Sequence, residues 1–170
     1  MEQLWIDTVD ETPLGTIWVA ASVKGLVAVR IGGVLEAFRL ELENRFGVLA
    51  TPRKFEPDDI PAQIWEYLQG QRKVFQFPIH WDVMSAFQQK ALRAVYQIPY
   101  GEKRSYGEIA AQIGVPGAAR AVGRANATNP MPLVIPCHRV VAANGSLHGY
   151  SGGEGLPTKA WLLAMETAQV

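Results

Sequence analysis

The most reactive group in this sequence is a cysteine followed by two basic residues, Cys137-His138-Arg139. A free thiol has a pKa of about 8.5 and attacks as the thiolate, so a neighbouring imidazole or cation raises its reactive fraction. An apolar run at residues 131–136 precedes the cysteine and places it at the end of a buried segment. In an arbitrary protein, a single cysteine is more often an inert core residue. From these residues alone, Cys137 is either a nucleophile or part of the core.

The other cysteine and histidine positions limit the chemistry further. Cys137 is the one cysteine of the chain, so no internal disulfide can form, and we predict a reducing, cytoplasmic setting. His80 and His148 do not form a metal-ligand pattern with Cys137 and His138. We therefore predict neither a metal ion nor a cofactor. The N terminus lacks a signal-peptide pattern and no stretch of about 18 apolar residues occurs, so we predict no membrane association.

The charges are balanced over the whole chain but not along it. The 170 residues carry 16 Lys and Arg against 16 Asp and Glu. Residues 1–80 contain 8 basic and 11 acidic residues, whereas residues 81–170 contain 8 basic and 5 acidic residues. The second half is the better partner for a nucleic-acid backbone. Many proteins with two lobes show such a difference by chance, so charge alone does not identify the partner.

The elements that precede the cysteine fall into two groups. Runs rich in β-forming residues at 15–22 and 25–31 predict a hairpin, and a further strand is predicted at 75–81. Apolar residues at helical spacing predict a helix over residues 35–46 that stops at Gly47, and a short helix is predicted around 64–68. We therefore predict a first domain at residues 1–81 of mixed α and β structure.

The second half, residues 82–170, reads as a mostly helical domain. A helix is predicted from about 85 to 97. Ser105 and Glu108 form a capping-box pattern that opens a helix over 106–113, and Gly114 follows it. Pro116 suits the first position of the next helix, so we predict a helix-turn-helix. This pattern is also common in ordinary helical hairpins.

The second helix of this pair has an unusually smooth surface. Arg120 and Arg124 lie among small residues, namely Gly117, Ala118, Ala119, Ala121, Gly123 and Ala125. Small side chains allow either tight packing against a neighbouring helix or close approach to a nucleic acid with the arginines projecting. These two interpretations are equally supported by the helix alone.

A series of ordered motifs covers residues 85–166. Around the cysteine the motifs are Asn129-Pro130, Pro136-Cys137-His138-Arg139-Val140, Gly149-Tyr150-Ser151-Gly152-Gly153 and Lys159-x-Trp161-Leu162-Leu163. Before it they are Phe87-Gln88, Ile98-Pro99-Tyr100-Gly101-Glu102, Ser105-Tyr106-Gly107-Glu108-Ile109-Ala110 and Ala118-Ala119-Arg120-Ala121-Val122-Gly123. Together these motifs closely resemble the O6-alkylguanine-DNA alkyltransferase family, which residues 1–80 match only in outline. The resemblance implies an α+β protein: a small N-terminal RNase H-like α/β lobe and a C-terminal, mostly helical winged helix-turn-helix domain.

The resemblance implies a single-use DNA repair reaction centred on four residues. Cys137 accepts an alkyl group from O6-alkylguanine, and also from O4-alkylthymine. His138 helps to deprotonate the thiol through a bound water, and Glu166 orients His138. Asn129 braces the turn between the second helix and the cysteine. Without the family, Glu166 reads as a solvated helix carboxylate and Asn129 as an ordinary turn residue.

The implied partner is double-stranded DNA that contains alkylated bases, bound by a monomer that could also associate along DNA. A base must leave the stack before a thiolate can reach its alkyl group. By resemblance, Arg120 fills the gap left by the base and Tyr106 crowds the 3′ phosphate. The remaining implied DNA contacts come from Ser105, Ala119, Ala121 and Gly123. The pocket for the extruded base is implied to include Val140, Tyr150, Ser151 and Gly152, although the loop of the last three also reads as a flexible turn.

Two other functions are compatible with parts of this pattern. The first is a non-catalytic, alkyltransferase-like damage sensor, which would lack the acceptor thiol. The second is a cysteine hydrolase that uses Cys137 and His138. Adjacent side chains on an extended strand point to opposite sides, so we expect poor geometry for direct proton exchange between them.

Overall fold

A computed structural model of the chain describes residues 3–56 and 59–169. The chain divides into two compact units, Met1–Trp81 and Asp82–Val170. Within the described ranges, no helix is both long enough and apolar enough to cross a bilayer. Each unit has its own set of buried hydrophobic residues.

The first unit is built on a sheet of four strands. These are β1 (Trp5–Thr12), β2 (Gly15–Ser22), β3 (Gly25–Ile31) and β4 (Thr51–Pro52). They lie in the order β3-β2-β1-β4, with β4 parallel to β1 and the other pairs antiparallel. The predicted hairpin at 15–22 and 25–31 is confirmed. Gly25 is required at its turn because its φ is 121° and a Cβ there would collide with the carbonyl of Pro78.

Two helices complete the first unit, α1 (Leu35–Phe46) and α2 (Ile60–Leu68). Helix α1 buries Phe38 and Leu42 and ends at Gly47 in the left-handed conformation, as predicted. The predicted strand at 75–81 is wrong, because only Ile79 forms a bridge, to Leu26. Pro78 has no amide hydrogen with which to continue a ladder of hydrogen bonds. Its carbonyl oxygen accepts a hydrogen bond from the amide of Leu26.

The second unit contains four helices among its described residues: α3 (Ala86–Tyr96), α4 (Tyr106–Gln112), α5 (Ala119–Ala127) and α6 (Leu156–Ala168). The Ser105–Glu108 capping box is present, and α4 and α5 form the predicted helix-turn-helix. Pro116 does not open α5, which is a correction. Pro116 lies in a turn in which the amide of Ala118 donates a hydrogen bond to the carbonyl of Val115 at 2.8 Å. The helix therefore starts at Ala119.

The acceptor segment, which we define as residues 129–141, crosses the interior of this unit. Each of these residues is buried. Cys137–Arg139 form one turn of 3-10 helix, and only then does the chain extend into β6 (Val140–Val141), which pairs in parallel with β5 (Arg104–Ser105). The expectation that Cys137 and His138 lie on an extended strand is therefore wrong. Residues 136 to 139 are curled by a hydrogen bond from the amide of Arg139 to the carbonyl of Pro136 at 2.9 Å.

Candidate active site and nucleic-acid interface

The Asn129 side chain holds Cys137 in the acceptor segment. Its amide nitrogen lies 3.1 Å from Sγ of Cys137 and 2.9 Å from the carbonyl oxygen of Ile135. Its amide oxygen accepts from the backbone amide of Met131 at 3.0 Å. One buried side chain therefore closes the turn after α5 and donates a hydrogen bond to the sulfur. A hydrogen bond to sulfur favours the thiolate over the thiol.

Burial raises the pKa of the Cys137 thiol above its ordinary value, and the side chain is only 5% exposed. The Asn129 hydrogen bond, the charge of Lys159 and two backbone amides act in the opposite direction without reversing the shift. The resting sulfur is therefore a protonated thiol at neutral pH. Transfer chemistry at this sulfur requires a group that removes the proton when the substrate is present.

His138 and Glu166 form a hydrogen-bonded pair in the interior. Nε2 of His138 lies 2.8 Å from Oε1 of Glu166, and the two side chains are 0% and 1% exposed. Burial lowers the pKa of His138 despite the carboxylate, so the resting imidazole is neutral. An ionised carboxylate only accepts hydrogen bonds, so Nε2 carries the proton and Nδ1 is the basic nitrogen. The structure thus joins His138 of the acceptor segment to Glu166 of α6.

Arg139 is a member of this network that the sequence reasoning did not assign. Its Nε and Nη2 donate to both oxygens of Glu166 at 2.9–3.2 Å, and its Nη1 donates to the carbonyl of Ile98 at 2.6 Å. The amide of Gly101 adds a bond to Oε2 of Glu166 at 3.1 Å. Burial alone would raise the pKa of Glu166, but the hydrogen bonds of His138 and Arg139 hold it well below its usual range. The only signal in the sequence was the position of Arg139 next to His138.

Lys159 is the second functional residue that the sequence reasoning missed. It is fully buried, and its ammonium donates to the carbonyls of Val140 at 2.6 Å and His148 at 2.9 Å. Burial lowers the pKa of Lys159, and the nearby Cys137 acts against this shift. The lysine ties the end of the acceptor segment to the loop that follows it. Lysine is rarely buried completely, so nothing in its own sequence position predicted this role.

The predicted pocket residues lie on that loop and beside it. Tyr150 is 8% exposed, and its hydroxyl has no hydrogen-bond partner in the part of the chain that the structure describes. A Cβ at Gly152 would lie only 2.9 Å from the Tyr150 ring, so glycine is needed there. The hydroxyl of Ser151 donates to the carbonyl of Ala127 at 3.1 Å and so fastens the loop to the end of α5. The remaining predicted pocket residue is Val140, whose carbonyl oxygen accepts the hydrogen bond from the ammonium of Lys159.

The predicted DNA-binding residues lie on α4 and α5. Tyr106 is half-buried, and its hydroxyl donates to the carbonyl of His148 at 3.2 Å. Gly123 brings α5 close to the Tyr106 ring, since a Cβ there would sit 3.9 Å from it. Arg120 is exposed. The other predicted contacts are Ser105, which caps α4, and the small residues Ala119 and Ala121, which are half-buried and exposed respectively.

The second unit thus combines a helix-turn-helix with a buried cysteine and with a histidine that is hydrogen-bonded to a charge-paired glutamate. Comparison with known proteins identifies the family. Residues 6–81 match the model for the ribonuclease-like domain of 6-O-methylguanine DNA methyltransferase, and residues 86–168 match the model for its DNA binding domain. The chain belongs to the 6-O-methylguanine DNA methyltransferase family, which confirms the resemblance found in the motifs.

Individual relatives support this assignment. A methylated-DNA–protein-cysteine methyltransferase from Mycolicibacterium paratuberculosis is 50% identical over 124 residues, which cover 72% of each chain. The constitutive enzyme of that name from Bacillus subtilis is 39% identical and covers 94% of this chain and 93% of its own. The structure of the Mycobacterium tuberculosis OGT in complex with DNA has a TM-score of 0.80 at 38% identity, covering 98% of this chain and 94% of its own. The α+β fold class is likewise confirmed by these matches.

The described residues contain no group of three or more His, Cys, Asp or Glu side chains placed to hold a metal ion. His138 and Glu166 are hydrogen-bonded to each other, and Glu166 is also paired with Arg139.

Proposed function

We propose that this protein repairs DNA by moving the alkyl group of O6-alkylguanine, and also that of O4-alkylthymine, onto Cys137. The observation that carries the proposal is the arrangement around the sulfur: Asn129 donates to Sγ, and the neutral His138 next to it is held by Glu166. The relatives named above are methylated-DNA–protein-cysteine methyltransferases. All of these residues lie in the unit of residues 82–170, which we treat as a domain separate from residues 1–81.

In the proposed reaction, Nδ1 of His138 takes the thiol proton of Cys137 through a water molecule. Glu166 stabilises the imidazolium that results, as a carboxylate does beside a histidine base. The thiolate then attacks the alkyl carbon, a sulfur–carbon bond forms, and the carbon–oxygen bond to the base breaks. The base leaves with the electron pair and takes up one proton. The overall change converts a thiol and an alkylated base into a thioether and a normal base, with no net gain or loss of protons.

The proposed partner is double-stranded DNA with an alkylated base, bound through α5 by a monomer. The small residues Ala119, Ala121 and Gly123 let the helix backbone approach the minor groove. Arg120 fills the space that the extruded base leaves, and Tyr106 crowds the phosphate on its 3′ side. Val140, Tyr150, Ser151 and Gly152 surround the base in its pocket. Unstacking a base costs a few kcal/mol, which these contacts offset.

A thioether is neither acidic nor a good leaving group, so each molecule is expected to act once. Intact-protein mass spectrometry after incubation with an excess of O6-methylguanine duplex tests this directly. The expected result is one methyl adduct per protein, located on Cys137, and a plateau at one lesion repaired per active molecule. Cys137→Ala is expected to bind the same duplex and to acquire no adduct.

The two alternatives give different results in the same experiment. A damage sensor would bind the duplex and remain unmodified, although it would not need a thiol held by Asn129. A hydrolase would leave no stable adduct and would continue to turn over a small ester. Either result with wild-type protein would overturn the proposed reaction.

A further inference from the structure

An open groove of about 500 Å³ runs beside the exposed face of α5. Its lining residues include Arg120, Ala121, Arg124 and Ala125 of α5 and Gln88 near the start of α3. Residues four apart lie on the same face of a helix, about 6 Å apart along its axis. The two arginines therefore stand side by side along the groove.

Both arginines have their charge available for an external partner. Arg120 and Arg124 are exposed, and neither side chain makes a hydrogen bond or ion pair with the described residues. By contrast, Arg104 in the same unit is paired with Glu102 at 2.8 Å. No Asp or Glu side chain from the described residues lines the groove. A groove with two unpaired cations and no carboxylate is complementary to an anion.

Gln88, which also lines the groove, carries no negative charge that would repel an anion. Its side-chain nitrogen donates to the carbonyl and to the hydroxyl oxygen of Thr128, both at 3.0 Å. Thr128 caps the C-terminal end of α5, where exposed carbonyl oxygens would repel a negative charge. The Gln88 amide thus occupies two acceptor oxygens at this end of α5.

We propose that this groove binds a backbone phosphate of the DNA strand, and that Arg124 makes the phosphate contact. The inference rests on the proposed function, in which Arg120 occupies the gap left by the base. Arg124 lies one helical turn further along α5, outside that gap, and its guanidinium suits a phosphate because it can donate two parallel hydrogen bonds. Arg124 would then contribute affinity for any duplex, damaged or undamaged.

The salt dependence of binding to an undamaged duplex tests the proposal. Losing one phosphate contact reduces the slope of log affinity against log salt by about 0.9. For Arg124→Ala we expect this reduction, with an affinity about 3- to 10-fold lower near 0.1 M salt. Arg124→Lys keeps a point charge and is expected to keep the slope. Arg93→Ala, which removes an arginine on α3 outside the groove, is the matched control and is expected to behave like wild type.

Two further measurements keep the outcomes distinct. The reaction with free O6-benzylguanine and the melting temperature should be unchanged in Arg124→Ala, because the residue is exposed and the free base carries no backbone phosphate. An unchanged salt slope, or an equal loss in Arg93→Ala, would overturn the assignment of Arg124 while leaving the alkyl transfer intact. Failure of the wild-type protein to bind any duplex would overturn the proposed function and this inference with it.

Discussion

The acceptor segment and helix α5 belong to the same unit but differ in whether their charged side chains are buried and paired. In and around the acceptor segment the charges are buried and paired: Glu166 is shared by His138 and Arg139, and Lys159 is capped by two carbonyls. On α5 the two arginines are exposed and have no partner among the described residues. The first region is organised before any substrate arrives. The second is complementary to a partner outside the protein.

This difference separates two kinds of energetic cost. Removing one member of a buried ion pair leaves an uncompensated charge in the interior, which costs stability as well as function. Removing an exposed side chain without partners usually changes stability by less than about 0.5 kcal/mol. Substitutions in the acceptor network should therefore affect folding and chemistry together, whereas substitutions on α5 should affect only reactions that involve DNA.

The largest effect is expected for Glu166→Gln. The amide has nearly the same shape but no charge, so Arg139 is left without its counter-ion and His138 loses the group that stabilises its protonated form. We expect a loss of about 3–5 kcal/mol in the free energy of unfolding. We also expect a fall of roughly 10²- to 10⁴-fold in the rate of alkyl transfer, the usual contribution of general acid–base catalysis. Denaturant unfolding and reaction with O6-benzylguanine measure the two effects.

Glu102→Gln provides the matched control for this prediction. It removes the same charge from the Glu102–Arg104 pair, whose side chains are 49% and 41% exposed. Exposed pairs contribute about 0–1 kcal/mol, so this variant should remain near wild type in stability and in rate. A Glu166→Gln protein that reacts normally with O6-benzylguanine would show that Glu166 has a structural role only.

The second prediction concerns the other side of the comparison, Arg120→Ala. On duplex DNA the variant no longer fills the gap left by the extruded base, and unstacking costs a few kcal/mol. We expect the repair rate of a methylated duplex to fall by about one to three orders of magnitude, while the reaction with free O6-benzylguanine is unchanged. Single-turnover kinetics on both substrates measure this. An equal loss on both substrates would place Arg120 in the chemical step or in folding.

The features that the sequence predicted well depend on neighbouring residues. The hairpin of β2 and β3, the end of α1 at Gly47 and the Ser105–Glu108 capping box are all local patterns. The prediction failed at two segments that contain a proline. A strand at 75–81 was expected from composition, but Pro78 lets only the bridge at Ile79 form. The start of α5 was placed at Pro116, but a turn through Ala118 delays it.

The candidate site shows the same limit. The motifs indicated Cys137, His138, Asn129 and Glu166, and in the structure side-chain hydrogen bonds join Asn129 to Cys137 and His138 to Glu166. The other two partners of Glu166 were not foreseen, because Arg139 is 27 residues away from it along the chain and the amide of Gly101 is 65 residues away. The complete burial of Lys159 depends on α6 packing behind the acceptor segment. Long-range packing of this kind has no local sequence pattern.

The tight packing around Cys137 predicts that methylation of its sulfur lowers the stability of the protein. The thiol of Cys137 is buried in the acceptor segment, so an S-methyl group must be accommodated by atoms that are already in contact. Adding one methylene-sized group to a packed interior costs about 1–3 kcal/mol. The methylated protein, freed of DNA at high salt, should therefore melt several degrees lower than the unmodified protein, about 2–4 °C per kcal/mol for a chain of this size.

Calorimetry of the two forms provides this measurement, with Cys137→Ala carried through the same incubation as the control. The control should melt at one temperature before and after exposure to methylated DNA. A methylated form that melts at or above the unmodified temperature would mean that the site has space for the alkyl group. In that case inactivation would leave the protein stable.

The smallest effect is expected in the dependence of stability on pH. Burial lowers the pKa of His138. Above a pH of about 6.5 His138 is therefore neutral in both the folded and the unfolded chain, and it does not make the free energy of unfolding depend on pH. Below about 6.5 the unfolded chain binds a proton that the folded chain does not, and stability falls by up to about 1.4 kcal/mol per pH unit. Glu166, whose pKa is held below its usual range, acts in the same direction only below a pH of about 4.3.

Urea unfolding between pH 5 and 8 isolates the His138 contribution. The readout is the slope and not the absolute stability, because His138→Gln also changes packing and hydrogen bonding in the network. We expect the wild-type free energy of unfolding to decrease as the pH falls from about 6.5 to 5.5, and this decrease to become smaller in His138→Gln. An identical slope in both proteins would mean that His138 has the same pKa in the folded and the unfolded chain, and a larger decrease in His138→Gln would mean that folding raises this pKa. A His138 that is protonated in the folded protein at neutral pH could not serve as the base for Cys137, and the proposed route for the thiol proton would then fail.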